Sequence, residues 1–88
     1  MYINVFDTHV QTTDGRYLHF DVITDSKDLL QAKRYAQQFL KQNNIKEENI
    51  SQSTCAFCHS ESSSPEMAQA ISLEGYYIFK MQGCQGMS

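Results

Sequence analysis

Two cysteines and a histidine fall within five residues of this sequence, as Cys55, Cys58 and His59. A third cysteine, Cys84, follows close to the C-terminus. Three thiolates and one imidazole match the tetrahedral sulfur and nitrogen coordination that zinc prefers. The pattern therefore predicts zinc as the cofactor, with Cys55, Cys58, His59 and Cys84 as its ligands.

The same short motif has other interpretations. Cys-x-x-Cys-His is also the pattern of c-type haem attachment, and Cys-x-x-Cys is that of a redox dithiol. Attachment of haem normally requires export, and the N-terminus lacks the basic residues and apolar run of a signal peptide, so haem is not expected. A thiol-redox protein using the Cys55/Cys58 pair is the alternative function. Its weakness is that a thioredoxin-type dithiol usually opens a helix, whereas this one does not. In a third interpretation the cysteines are small buried hydrophobes without chemistry.

The N-terminal part of the chain has the pattern of a β-hairpin, with strands at 2–10 and 17–24. A two-residue turn at Asp14-Gly15 would place Asp7 on the apolar face and bury a carboxylate. A three-residue loop, Thr13-Asp14-Gly15, with the glycine in the left-handed conformation, gives a consistent apolar face instead. The residues of that face are Phe6, Thr8, Val10, Leu18, Phe20 and Val22. We therefore predict the three-residue loop.

This loop also determines the other face of the hairpin. It places Asp7 opposite Asp21 and His9 opposite His19, and opposed side chains in an antiparallel pair have Cβ atoms about 5 Å apart. Two carboxylates and two imidazoles at this distance predict a secondary polar cluster that binds a cation or carries out acid–base chemistry. The alternative is a solvated polar face. Either histidine is also an alternative fourth ligand for the cysteine site.

The remaining elements are two helices and two strands. Helical spacing predicts helices at about 27–42 and 65–74, the second with Ser64 as its N-cap and Gly75 at its end. A polar strand at about 48–56 suits a sheet edge, and an apolar strand at 76–81 suits a central position. The order β-β-α-β-α-β predicts a two-layer α+β fold, with a four-stranded mixed sheet and both helices on one face. Residues 1–84 are expected to form one domain and 85–88 a frayed tail.

Composition limits the classes of partner. The net charge of −3 gives no excess of basic residues that would attract the phosphates of nucleic acid. No apolar segment is long enough to cross a membrane. The chain is therefore expected to act in the cytoplasm without nucleic acid, membrane or nucleotide. One sheet face carries histidines and tyrosines and is not covered by a helix in this scheme, which predicts a homodimer or another protein partner.

Several motifs together resemble a small bacterial family known only as a domain of unknown function. They are Val-Phe-Asp-Thr at 5–8, Asp-Gly at 14–15, His-Phe-Asp-Val at 19–22, Cys-x-Phe-Cys-His-Ser-Glu at 55–61, Gly-Tyr-Tyr-Ile at 75–78 and Lys-Met-x-Gly-Cys at 80–84. The resemblance covers nearly the whole chain. It implies a two-layer α+β domain with a four-stranded sheet and two helices, and it implies no activity. The sequence thus predicts a small zinc-binding or protein-interaction module and leaves open whether it is an enzyme.

Overall fold

The computed structural model describes all 88 residues as one four-stranded sheet with two α-helices. The elements are β1 (Tyr2–Thr12), β2 (Tyr17–Thr24), α1 (Leu29–Gln42), a 3-10 turn (Glu47–Asn49), β3 (Ile50–Ser62), α2 (Pro65–Glu74) and β4 (Tyr77–Lys80). The strand order is β3-β1-β2-β4. Every neighbouring pair is antiparallel, so the prediction of a mixed sheet is wrong in that respect. No helix is long and apolar enough to span a membrane.

The β1–β2 hairpin has the predicted three-residue loop. Gly15 lies in the left-handed region at φ 90°, where a residue without Cβ is not strained. The amide of Thr12 donates to the carbonyl of Arg16 at 2.9 Å and closes the loop. As predicted, Asp7 pairs with Asp21 and His9 pairs with His19.

Helix α1 covers the apolar face of this hairpin. It begins after Asp28, whose carboxylate accepts a hydrogen bond from the amide of Leu30 and so satisfies a free helix N–H. Its buried residues are Ala32, Ala36, Phe39 and Leu40. They belong to one core cluster with Phe6, Val10, Leu18, Phe20 and Val22.

Helix α2 packs on the opposite face of the sheet, so the prediction of both helices on one face is wrong. Its buried Ile71 belongs to a second cluster, together with Ile3, Val5 and Ile23. Successive side chains of a strand point to opposite faces, so Val5 and Ile23 lie on the face away from Phe6 and Val22. The α2 boundaries are as predicted: Ser64 accepts from the amide of Met67, and Gly75 ends the helix at φ 91°.

The two outer strands differ from their predictions. β3 is at an edge, as expected, but it continues to Ser62 and so takes Cys58 and His59 out of the predicted loop and into the sheet. β4 is a short strand at the other edge rather than a central one.

The tail at 85–88, predicted to fray, is packed against the end of α1. The amide of Ser88 donates to the side chain of Asn43 at 2.8 Å, and Lys80 donates through Nζ to the carbonyl of Met87 at 2.6 Å. Met87 also packs against the larger core cluster.

Candidate metal centre

The secondary polar cluster lies on the open part of the sheet face that α2 covers only at one end. The apolar contacts of α2 end at Val5 and Ile23. Asp7 and Asp21 are the next residues along β1 and β2 on that face, followed by His9 and His19. The regular two-residue alternation of the strands therefore presents these four side chains together, beside the second apolar cluster.

The carboxylate of Asp7 joins the two imidazoles. Its Oδ1 accepts a hydrogen bond from Nε2 of His19 at 2.6 Å, and its Oδ2 accepts one from Nε2 of His9 at 2.8 Å. The two rings are stacked, with centroids 4.1 Å apart and planes at 14°. Asp7, His9 and His19 can each offer one ligand atom, and these atoms lie within 4.8 Å of one another.

Tyr17 orients the His9 ring from its other side. The Tyr17 hydroxyl is hydrogen-bonded to Nδ1 of His9. With neutral His9, the Nε2–H group donates to Asp7 while Nδ1 accepts from the tyrosine O–H. A ring held through both nitrogens cannot turn freely, so its Nε2 stays directed at the carboxylate.

The two opposed carboxyl groups have pKa values shifted in opposite directions. Partial burial alone would raise the pKa of Asp7, but the hydrogen bonds from His19 and His9 outweigh burial and lower it. Burial raises the pKa of Asp21, and the neighbouring charge of Asp7 adds to the increase. Asp7 is therefore the carboxylate that keeps its negative charge, and Asp21 is the one that holds a proton more readily.

Solvent reaches the cluster. The exposed fractions of the side chains are 39% for Asp7, 37% for His9 and 24% for His19. On β3, the residues opposite Asp7 and His9 are the short Ala56 and Thr54. A cation held by the three side chains would therefore keep access to water or to a small ligand.

The predicted cysteine site is not assembled in this fold. Cys55 is half-buried on the α1 face, where the hydroxyl of Thr8 donates to its sulfur at 3.4 Å. Cys84 is buried beside β2, where its thiol donates to the carbonyl of His19 at 3.6 Å. Two strand spacings, roughly 10 Å, separate β3 from β2. Burial raises the pKa of the Cys84 thiol and disfavours the thiolate that binds metal.

Cys58 and His59 lie further along β3, at an irregularity in the strand. The pairing with β1 shifts between Phe57 and His59, so Cys58 is the extra residue of a β-bulge. Cys58 is exposed and its sulfur lies 3.3 Å from Nδ1 of His59. His59 also forms an ion-pair contact with Glu61 at 3.4 Å.

The extended strand also separates Cys55 from Cys58. Three residues of strand span roughly 9–10 Å, whereas a disulfide needs Cα atoms about 4.4–6.8 Å apart. The strand geometry therefore does not favour a redox pair made by these two cysteines.

The sequence analysis named Asp7, His9 and His19, which lie together here, but it missed Tyr17. The available signal was its position: Tyr17 lies two residues before His19 and so shares its sheet face. Its ring can therefore reach past the directly opposed residue, Gln11, to the diagonal neighbour His9.

Comparison with known proteins matches the chain to a family of domains of unknown function. A family model described as "Domain of unknown function (DUF2024)" matches residues 1–81. The structure is similar to the NMR structure of protein NE1680 from Nitrosomonas europaea, with a TM-score of 0.82 and 41% sequence identity. That match covers 97% of this chain and 100% of the other. No curated protein matches significantly.

Proposed function

This chain belongs to the DUF2024 family, and we propose that it binds a divalent transition-metal ion, with zinc as the first candidate, through Asp7, His9 and His19. The observation that carries the proposal is the convergence of two Nε2 atoms on one carboxylate, with all three ligand atoms within 4.8 Å. Imidazole nitrogen and carboxylate oxygen are both zinc ligands, with bond lengths near 2.0–2.2 Å. The proposed zinc site therefore lies in the hairpin, whereas the sequence predicted it at the cysteines.

The hydrogen-bonded arrangement already directs three metal-ligating groups at one point. Each Nε2 now donates a proton to Asp7, at 2.6 Å from His19 and 2.8 Å from His9. A cation held by these atoms would take the lone pairs of the two nitrogens and one carboxylate oxygen. A neutral imidazole would free its Nε2 by moving the proton to Nδ1, whereas a protonated imidazole would have to release a proton, so binding weakens as the pH falls.

The contact between Tyr17 and His9 can serve both states of the site. Without metal, the tyrosine O–H donates to Nδ1 of His9. With metal on Nε2, the ring proton moves to Nδ1, and the N–H group donates to the tyrosine oxygen, since a phenol both donates and accepts. A partner on the second ring nitrogen is the usual support of a ligating histidine.

The charges of the site also favour a cation. Asp7 and Asp21 are directly opposed, and their repulsion contributes to the raised pKa of Asp21. A divalent ion bound to Asp7 would reverse that effect and favour ionised Asp21. Three protein ligands leave one position of a tetrahedral zinc for water or a small ligand, which is the arrangement of sites that do chemistry rather than of closed structural sites.

The test is a calorimetric titration of zinc into metal-free, untagged protein. We expect about one equivalent to bind. His9→Ala and His19→Ala each should weaken binding by more than about 100-fold, since loss of a supporting residue alone typically costs 10–100-fold. His59→Ala is the matched control, because that imidazole lies outside the cluster.

A Cys55→Ser/Cys84→Ser variant separates this proposal from the cysteine site. Retained binding supports the hairpin site. Binding that is lost with the cysteines and kept without His9 and His19 overturns it, as does wild-type protein that takes up no zinc.

A further inference from the structure

Strand β3 has one unpaired edge along its whole length. It is hydrogen-bonded to β1 on one side and forms the end of the sheet on the other. Its 13 residues include no lysine, arginine or proline, and Glu61 is its single acidic residue. Natural proteins usually protect exposed edges with such residues or with bulges. The bulge at Cys58 protects the end of β3 but leaves 52–57 in regular register with β1.

An exposed aromatic ring and a groove lie beside this unprotected segment. Phe57 is on the α1 face of β3, where its ring meets Phe6 edge-to-face, yet it remains 51% exposed. A groove of about 350 Å³ runs between α1 and β3 on the same face. Ala36 and Leu40 line its α1 side, and Ser53 and Cys55 line its β3 side. The molecule thus offers an apolar side chain and an unfilled groove next to one strand edge.

We propose that β3 is a homodimer interface, in which a second copy of this chain adds its own β3 antiparallel to the first and makes a continuous eight-stranded sheet. A second copy fits because the surface is self-complementary: each protomer supplies both a ring and a groove, as a twofold contact requires. The segment 52–57 carries no charged residue that would oppose its own copy.

The alternation of side chains determines the register. A twofold axis perpendicular to the sheet keeps the two α1 layers on one side of the joined sheet. Directly opposed residues then share a face, so the axis must pass between one residue and the same residue of the partner. An axis at Cys55 pairs 53–57 with the same residues of the partner, all within the regular segment. Phe57 then lies opposite Ser53 of the other copy and enters its groove.

This register also brings the two Cys55 residues directly opposite each other. Opposed Cα atoms in an antiparallel pair are about 4.5–5.5 Å apart, within the range of a disulfide. Mild oxidation with diamide should therefore cross-link the half-buried Cys55 across the interface. Two thiols lose two electrons and two protons, which reduce diamide to its hydrazine. The exposed Cys58 should cross-link less, although it is the more accessible thiol.

The test combines sedimentation under reducing conditions with this cross-linking. We expect wild-type protein to sediment as a dimer at micromolar concentration, Phe57→Lys to shift the dimer dissociation constant upward at least tenfold, and Leu73→Lys to leave it unchanged. Leu73 is the matched control because it is 77% exposed on α2, away from β3. In Cys58→Ser/Cys84→Ser protein, covalent dimer should form through Cys55.

A wild-type monomer at millimolar concentration overturns the proposal. So does a dimer that Leu73→Lys dissociates and Phe57→Lys does not, since it would use another surface. Circular dichroism of each variant confirms that a lost dimer is not a lost fold.

Discussion

At the scale of single residues, the distinctive feature is one carboxylate shared by two histidines. Asp7 accepts from both Nε2 atoms, and its pKa is lowered because those hydrogen bonds outweigh its partial burial. A carboxyl group with a lowered pKa in the folded state stabilises the protein above its unfolded pKa. That contribution is lost as the pH falls below about 3.9 toward the folded value.

Tyr17→Phe tests whether the tyrosine supports a metal ligand. The change removes the hydroxyl bonded to Nδ1 of His9 and leaves the ring that stacks near it, with centroids 5.8 Å apart. We expect zinc affinity to fall roughly 10–100-fold while the melting temperature without metal changes little. Unchanged affinity would show that the contact plays no part in metal binding. Tyr35→Phe, on the opposite side of the sheet, is the control.

Asp21→Asn tests the opposed carboxyl pair. The pKa of Asp21 is raised by burial and by Asp7, so its charged form is disfavoured in the folded protein at neutral pH. Removing that charge should stabilise metal-free protein at pH 7 by about 0.2–1 kcal/mol, the usual size of an opposed cross-strand pair. The gain should vanish below about pH 3.9, where Asp21 is protonated folded and unfolded. Urea unfolding at both pH values measures it, and a gain that persists at low pH contradicts the explanation.

At the scale of elements, the hairpin was predictable and the outer strands were not. The hairpin loop follows from Gly15 and from a strict alternation of apolar and polar residues, which permits one register only. Most residues of β3 are polar on both faces, so nothing in its alternation indicated that it would run past Ala56 to Ser62. The cysteine motif consequently lies in an extended strand, with Cys55 half-buried on the α1 face and Cys58 exposed at the bulge.

Gly83 belongs to the segment that follows β4 and lies close against the backbone of β2. It has φ 78°, and a Cβ there would lie 2.0 Å from the backbone oxygen of Tyr17. Gly86 has a similar φ of 82° but open space around it. Gly86→Ala should therefore cost about 1 kcal/mol of unfolding free energy, for the backbone conformation alone. Gly83→Ala should cost at least twice as much, because the chain beside β2 must move. Equal losses by chemical denaturation would contradict the predicted clash.

At the scale of the whole molecule, two core clusters lie on opposite faces of one sheet. The sequence contained a signal for this arrangement in Ile3, Val5 and Ile23, which are apolar on the face opposite Phe6 and Val22. The order of elements does not specify which face of the sheet a helix covers. The prediction of a single helical layer therefore rested only on the larger of the two apolar faces, that of Phe6 and Val22. The open part of the second face is where the polar cluster lies.

Metal binding should stabilise the whole domain, since a ligand that binds only the folded state adds RT ln(1 + [L]/Kd) to its stability. Free zinc at a hundred times its dissociation constant should add about 2.7 kcal/mol. A thermal shift in wild-type protein, absent in His9→Ala/His19→Ala protein, is the expected outcome. An equal shift in both would indicate binding elsewhere.

The strongest test of zinc binding by the hairpin is an NMR titration of the imidazole nitrogens with zinc in ¹⁵N-labelled, metal-free protein. The three histidines are separate reporters: His9 and His19 lie in the cluster, and His59 lies on β3. We predict that at about one equivalent the Nε2 signals of His9 and His19 shift to metal-bound positions while those of His59 stay unchanged. Unshifted His9 and His19, or a shift confined to His59 with its neighbouring cysteines, would contradict zinc binding by the hairpin.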